Sequence, residues 1–347
     1  MVKTQAENTG LRNIFRSFRY RNFRLFFSGQ SISLVGTWIQ RIAVPWLVYD
    51  LTGSPFLLGA VGFAGQIPTM LIAPFAGVLV DRWNRYQILV VTQILAMIQA
   101  LALALLTLTG SIAIWHVFSL SIVLGCVNAF DMPARQSFLV DMVDRKEDLG
   151  NAIALNSSFV NAARILGPSV AGMLIAFAGE GICFLVNGVS YLFVIASLLM
   201  MKVTPRDRQP KNMDMFGELR EGFAYVNGFL PMKTIILLLA LVSLVGMPYS
   251  VLMPVVASEI LGGSSSTFGF LMGASGVGAF SGAIYLASRP TAQGLHRLIP
   301  AAAILFGTGL IALSLSRLFS LSILIMVLTG MGMMLQMASS NTMLQTL

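Results

Sequence analysis

The sequence predicts an all-α polytopic membrane protein, and three observations lead there. Of its 347 residues, 56% are apolar and 10% are charged, against roughly 25% charged in an average soluble domain. The charges are clustered, leaving neutral intervals at 51–80, 86–130, 181–201, 234–258, 260–288 and 318–347. Each interval holds at least one helix of about 20 residues, the length that crosses a bilayer core. Lys and Arg are also distributed very unevenly between alternate loops, and loop position is what sets the topology of such a protein.

Ten spans are expected, at 23–49, 56–80, 87–109, 112–134, 150–178, 181–201, 233–257, 266–288, 297–316 and 319–345. A basic segment, 1–22, precedes the first, and Arg12, Arg16, Arg19, Arg21 and Arg24 crowd its approach. Thr109-Gly110-Ser111 separates the third span from the fourth. Counted by the compartment this register implies, 19 of 20 loop positives share one side, Arg317 alone lying opposite. That side is the cytosol, so the N-terminus is expected there, in a cell inner membrane. The formal charge of +8 is then a topology signal, and nucleic acid is not an expected partner. Cys126 and Cys183 lie in apolar spans with no partner spacing and read as small hydrophobes. Four regions follow: the basic N-terminus 1–22, a six-helix bundle 23–201, a linker 202–232, and a bundle of four spans 233–347. Within the linker, Phe216, Leu219, Phe223, Val226 and Leu230 recur at helical spacing opposite Glu218, Glu221 and Asn227, a pattern for a helix lying in the interface plane. An offset of 205 relates Gly77 to Gly282, and Gln136-Ser137-Phe138-Leu139 to Asn341-Thr342-Met343-Leu344. Repeated six-span halves are a transporter architecture; here the second half holds four, so a longer chain, cut at its C-terminal side, is expected.

Several motifs carry a resemblance. Gly77-Val78-Leu79-Val80-Asp81-Arg82-Trp83-Asn84-Arg85 follows the second span, and Gly167-Pro168-Ser169-Val170-Ala171-Gly172 lies in the fifth. With Gly36-Thr37-Trp38-Ile39-Gln40, Leu51-Thr52-Gly53-Ser54, Asp131-Met132-Pro133-Ala134-Arg135-Gln136 and Glu221-Gly222-Phe223-Ala224-Tyr225-Val226, these make the chain resemble the major facilitator superfamily over nearly its whole length. The likeness is to the twelve-span drug:proton antiporter branch, of enterobactin-exporter and macrolide-efflux type. It implies a fold of two six-helix halves, the second incomplete here. It also implies a latch between the halves built on Gly77, Asp81, Arg82 and Arg85, with Asp81 facing an eleventh span, and an antiporter-like kink at Gly167, Pro168 and Gly172. On physical grounds Gly77 would let neighbouring helices approach, and Pro168 would bend its helix. Asn84 replaces a family glycine, Ala171 another, and the arginine many members carry in the fourth span is Ser121, before Gly125.

Proton-coupled transport needs a group that cycles between charged and neutral, so acids in or beside spans are candidates. Asp131 is preferred for coupling or gating, with Arg135 at i+4 able to pair with it on one helix face; a purely structural pair is the alternative. Asp50 is a second candidate at the end of the first span, and Glu180 and Glu259 read as interfacial. Arg41 and Arg164 lie within spans, where an arginine costs a few kcal/mol or more unless paired or hydrated; either would pair with Asp131 or hold an anionic substrate group. Gly269, Gly273, Gly276, Gly278 and Gly282 form a close-packing face. His116 and His296 stand apart from each other and from acids, so neither a metal site nor a cofactor is expected, and the chain reads as a transporter rather than an enzyme.

The expected function is secondary active efflux: export of an amphipathic small molecule, such as a drug, a macrolide-like compound or a siderophore, in exchange for protons by alternating access. Substrate, protons and lipid are the expected partners, and the transporter is expected to be a monomer. Lysophospholipid flipping and a non-transporting membrane sensor or scaffold are the alternatives.

Overall fold

The structure is a computed structural model that describes residues 16–143, 145–202, 217, 224–289 and 294–346. A single 3-10 turn, Arg16–Arg19, leads into ten long helical stretches among the described residues. These are α1 Arg21–Thr52, α2 Pro55–Arg82, α3 Arg85–Leu108, α4 Ile114–Asp141, α5 146–178, α6 180–199, α7 Leu230–Ile260, α8 Ser265–Ala287, α9 Leu295–Leu315 and α10 Phe319–Thr346. Eight stretches are long and apolar enough to cross a membrane. α1 is not among them, because it carries Gln30, Ser33, Thr37, Gln40 and Arg41, most of which the bundle buries. Successive helices run in opposite directions between two ends, here named the basic end, where α1 starts, and the far end, where it stops.

All ten expected spans are present as helices, with two departures. α4 continues to Asp141, seven residues past its expected end, so Arg135 belongs to a helix rather than a loop. The interface helix expected within 202–232 falls partly outside the described residues; of it, Gly217 and 224–228 are helical, and Leu230 already belongs to α7.

α5 and α6 form one unbroken run, Lys146–Leu199, apart from Gly179 at φ 77° and ψ 171°. That combination is open essentially to glycine alone, and it lets the chain turn back through a single residue. The first six helices are then locked side by side. α1 lies so close to α6 that a methyl at Gly36 would overlap Asn187 and Ser190, and one at Gly29 would overlap Ser197. The amide of Gln40 on α1 donates to Gln99 Oε1 on α3 at 3.0 Å and accepts from Asn187 Nδ2 on α6 at 2.8 Å. All three side chains are buried, and a buried amide left unpaired costs about 1–3 kcal/mol, so this chain of bonds fixes the rotation of three helices at once. α2 packs on α4 where Gly125 meets the Gly65 carbonyl and Ser121 lies against Gly65. The small Ser121 is therefore part of the contact between these helices.

Apolar packing divides the molecule by depth. One cluster joins α1, α2, α5 and α6 to α7, α8, α9 and α10 through Ile39, Leu47, Leu58, Ala171, Phe184, Met253, Phe268, Leu313 and Met326. A second cluster, at the basic end, contains Phe23, Phe26, Val80, Leu89, Phe138, Ala152 and Leu198, all from the first six helices or their edges. α7 itself is mostly unburied and carries two π-helical turns, Val242–Gly246 and Val256–Ile260, on either side of Pro248 and Pro254. Proline removes a backbone donor, and a π-turn is one way a spanning helix absorbs the loss.

Candidate functional site

In α4, Asp131 is buried in the wall of the bundle and saturated with donors. Its Oδ1 accepts from Thr92 Oγ1 at 2.9 Å and from Gln93 Nε2 at 2.7 Å, both on α3, and its Oδ2 pairs with Arg135 one turn away. The i, i+4 spacing works because a helical side chain leans toward its own N-terminus, which carries Arg135 back over Asp131. Arg135 remains 29% exposed at its side chain, and its Nε has no partner. Thr92 and Gln93 escaped the sequence reading, since two polar residues in an apolar helix carry no sign of what they face.

Arg41 takes no part in that pair. It is exposed, although about 17 Å of helix separates it from the far end of α1. Tyr191 of α6 and Arg135 of α4 act on its charge. Its guanidinium lies over the Trp38 ring at 5.0 Å. Just beyond Arg41 toward the far end, Trp46 stacks on Phe268 of α8 with centroids 5.9 Å apart and planes at 17°. Asp50 is exposed at the far end of α1 and is not gathered with Asp131, Arg135 or Arg41. Arg164 lies in α5 with its side chain outside the described residues.

The four motif residues after α2 divide. Arg85 is a hub: its Nη2 binds Asp81 Oδ1 at 2.5 Å, and its Nη1 reaches Asp141 Oδ2 at 3.5 Å and donates to the Ser137 carbonyl at 3.2 Å. It thus ties the ends of α2, α3 and α4 together, with Asp141 as a partner the sequence reading did not include. Asp81 keeps 55% of its side chain exposed, and Arg82 is exposed. At Gly77, nothing among the described residues lies within 4 Å of where its Cβ would be.

Nearby, Asp148 at the start of α5 gathers the segment before α1. Tyr20 donates to it at 2.6 Å, Arg16 Nε lies at 3.2 Å and Arg19 pairs with it, while Ser17 bonds Asn151 at 2.7 Å. The Tyr20 hydrogen bond first, then the Arg19 and Arg16 charges, hold the Asp148 carboxyl below the usual carboxylate range despite its burial.

Gly167, Pro168 and Gly172 all lie in α5. The backbone stays helical through Pro168, and the non-helical residue of this stretch is Gly179. What the motif supplies is contact. A methyl at Gly167 would overlap Trp38 of α1, and one at Gly172 would overlap the Cα of Gly269 in α8. Gly269 in turn faces the Pro168 carbonyl, so the glycine-rich face of α8 meets α5 here, while Gly278 and Gly282 meet α10 at Val327, Met331 and Leu335. Two further contacts cross between the first six helices and the last four. Tyr49 Oη donates to Glu259 Oε1 at 2.8 Å, and Gly62 of α2 faces Val251 of α7. All of these crossings lie in the far half of the molecule. Tyr49 and Glu259 are 210 positions apart, and nothing local in the sequence pairs them. Among the described residues, no three His, Cys, Asp or Glu side chains group as metal ligands would.

Comparison with known proteins agrees with this architecture. A family model described as transmembrane secretion effector, of major facilitator type, matches residues 13–347. The chain is 25% identical over 291 residues to the staphyloferrin A transporter of Staphylococcus aureus, covering 83% of this chain and 72% of that protein. It is 21% identical over 252 residues to macrolide efflux protein A of Streptococcus pyogenes, covering 71% of this chain and 62% of that one. Among solved structures, a bacterial homologue of the iron transporter ferroportin in an inward-facing state superposes with a TM-score of 0.66 at 18% identity, over 95% of this chain and 84% of that one.

Proposed function

Since the chain belongs to the transmembrane secretion effector family of major facilitator transporters, we propose that it exports an amphipathic small molecule from the cytosol in exchange for protons, by alternating access. The observation that carries this reading is the division by depth: Gly172 on Gly269, Trp46 on Phe268 and Tyr49 on Glu259 join the two groups of helices in the far half, while the apolar cluster at the basic end is built from the first six helices and their edges. With the basic end in the cytosol, as loop charge predicts, this is a state that loads substrate from inside. Drugs, macrolide-like compounds and siderophores are the substrate classes the relatives suggest.

In this reading Asp131 carries the proton. Its pairing with Arg135, Thr92 and Gln93 is the deprotonated state left after proton release to the cytosol. In the opposite state, protonation removes the charge that holds Arg135 and loosens α4 against α3. That state is reached when substrate binds the deprotonated form: the basic ends close, with Gly77, Asp81 and Arg82 meeting the second group of helices, while Tyr49 and Glu259 separate and the far end opens. Substrate leaves there, Asp131 takes its proton from the far side, and the protonated form returns to release it to the cytosol. Gly172 on Gly269 is the bearing about which the two groups rock, since two glycine backbones in contact allow small rotations without a side-chain clash.

The test is export from proteoliposomes of defined orientation under an imposed pH gradient, with a fluorescent drug and an iron-free siderophore as probes. Export that follows the gradient, and that Asp131→Asn uncouples from it, is expected. Export indifferent to the gradient would sink proton antiport. Movement of lysophospholipid in place of both probes would assign the flippase activity instead.

A further inference from the structure

We propose that the start of α1 and the end of α6 together form a binding site for an anionic phospholipid on the outside of the first six helices, at the basic end. Arg21, Arg24 and Lys202 hold its phosphodiester, and an exposed face of α6 carries an acyl chain. Contact between the two helices builds the site. Arg21 Nη2 donates to the Met200 carbonyl at 3.2 Å. Asn22 donates from Nδ2 to the Lys202 carbonyl at 2.9 Å and accepts from the Lys202 N–H at 3.3 Å. These bonds set the Lys202 backbone beside the first turn of α1. They neutralise no charge, because every acceptor is a neutral carbonyl or amide oxygen. Arg21, Arg24 and Lys202 are all exposed, and Arg24 follows Arg21 at i+3, so the two arginines are neighbours on one helix face.

Charge balance separates these three from other bases at the same end. Arg16 and Arg19 are engaged by Asp148, and Arg85 by Asp81 and Asp141. Among the described residues no carboxylate lies within ion-pair distance of Arg21, Arg24 or Lys202. Nor do the arginines serve α1 itself, whose first turn holds no acid, since cations at a helix start oppose its dipole. A Lys or Arg near a membrane surface strengthens attraction to anionic lipid about fivefold. The apolar half of the surface identifies the anion as a lipid. Leu192, Leu199 and Met200 lie at i, i+7 and i+8 on one face of α6 and its C-cap and are 50%, 64% and 58% exposed. They extend from the basic residues along about 12 Å of helix, and an acyl chain is as apolar as the leucines it covers. Inorganic phosphate uses only the charged part of this surface. A zwitterionic headgroup brings its own cation into the same field. The favoured occupant is a phosphodiester lipid whose headgroup carries no positive charge.

The experiment reads lipid identity at the site. A bimane label is attached at Leu199→Cys, with Cys126 and Cys183 replaced. Its quenching by brominated phosphatidylglycerol is compared with quenching by brominated phosphatidylcholine in mixed vesicles, which gives the relative affinity at that position. A preference for phosphatidylglycerol of at least about fivefold is expected. A label at Ile304→Cys of α9, where the side chain is 65% exposed, should give a ratio near one. Arg21→Gln combined with Lys202→Gln should bring the ratio at 199 to near one. Arg24→Gln leaves the Met200 and Lys202 bonds in place and should lower the ratio partway, so the test stands even if the double variant unfolds. A ratio near one at 199, an equal preference at 304, or a preference unmoved by these substitutions would overturn the proposal. So would loss of the preference in millimolar glycerol phosphate at constant ionic strength, which would make the occupant a soluble anion.

Discussion

At the far end, the first six helices meet the last four through glycine backbone, stacked rings and one hydrogen bond; at the basic end, the same six helices are bound to one another by charge and make no described contact with the other four. The chemistry suits the two situations. Gly172 on Gly269, Trp46 on Phe268 and Tyr49 on Glu259 form a contact without ion pairs, whose parting strands no charge. The clusters around Arg85, Asp131 and Asp148 each hold a buried or half-buried charge that would be costly to expose to lipid, and they link helices of one group only. The lesson is that ion pairs make this group of helices rigid, while the neutral contact is the one free to change. That is the division of labour alternating access requires.

The largest expected effect tests the rigid side. Asp131→Ala leaves Arg135, Thr92 and Gln93 without their shared acceptor, and removing one member of such a pair costs about 3 kcal/mol, here at the lower end because Arg135 is 29% exposed. Thermal unfolding in detergent measures it, and a loss below 1 kcal/mol would show the pair to be a bystander. Next, Gly172→Ala places a methyl on the Gly269 backbone, an overpacking expected to cost about 2 kcal/mol and to reduce export severalfold. Gly77→Ala serves as its control: with open space at that position, its stability should stay within about 0.5 kcal/mol of wild type. If the two glycines respond alike, the contrast between the ends fails.

Tyr49→Phe removes one hydrogen bond at the far end, expected to weaken that closure by about 1 kcal/mol. Protease or thiol access from the far side should rise, with thermal stability nearly unchanged. The smallest effect is in pH. Asp148 has a lowered pKa in the folded protein, so its contribution is fully present above the ordinary carboxylate value of about 3.9. It is lost as pH falls below that value through the lowered one. Asp148→Asn should therefore flatten the acid limb of the unfolding curve below about pH 4 and leave the neutral region alone.

Most of the fold was legible because the charges are few and sit where helices end; the run of Lys and Arg through alternate loops located all ten helices, and the narrow gap at 178–181 coincides with the turn at Gly179. α4 was the exception. Asp131 lay inside the expected span, but Arg135 and Asp141 fell past its end at 134, and α4 carries both. In the site, the Asp131–Arg135 pair followed from i, i+4 spacing, but Thr92, Gln93 and Asp141 had no local signature. The Tyr49–Glu259 bond joins helices with no sequence relation.

The central claim, that one end opens as the other closes, is tested most directly by paired distance measurements. Spin labels at Asp50 and Ser264 report the far end, and labels at Arg82 and Ser288 the basic end, all four positions being exposed, in a protein with Cys126 and Cys183 replaced. Electron-electron resonance is recorded in proteoliposomes with and without an imposed pH gradient. Reciprocal change is expected, the far-end distance lengthening in the same population in which the basic-end distance shortens. Distances that change together, or a far end that never opens, would contradict the account.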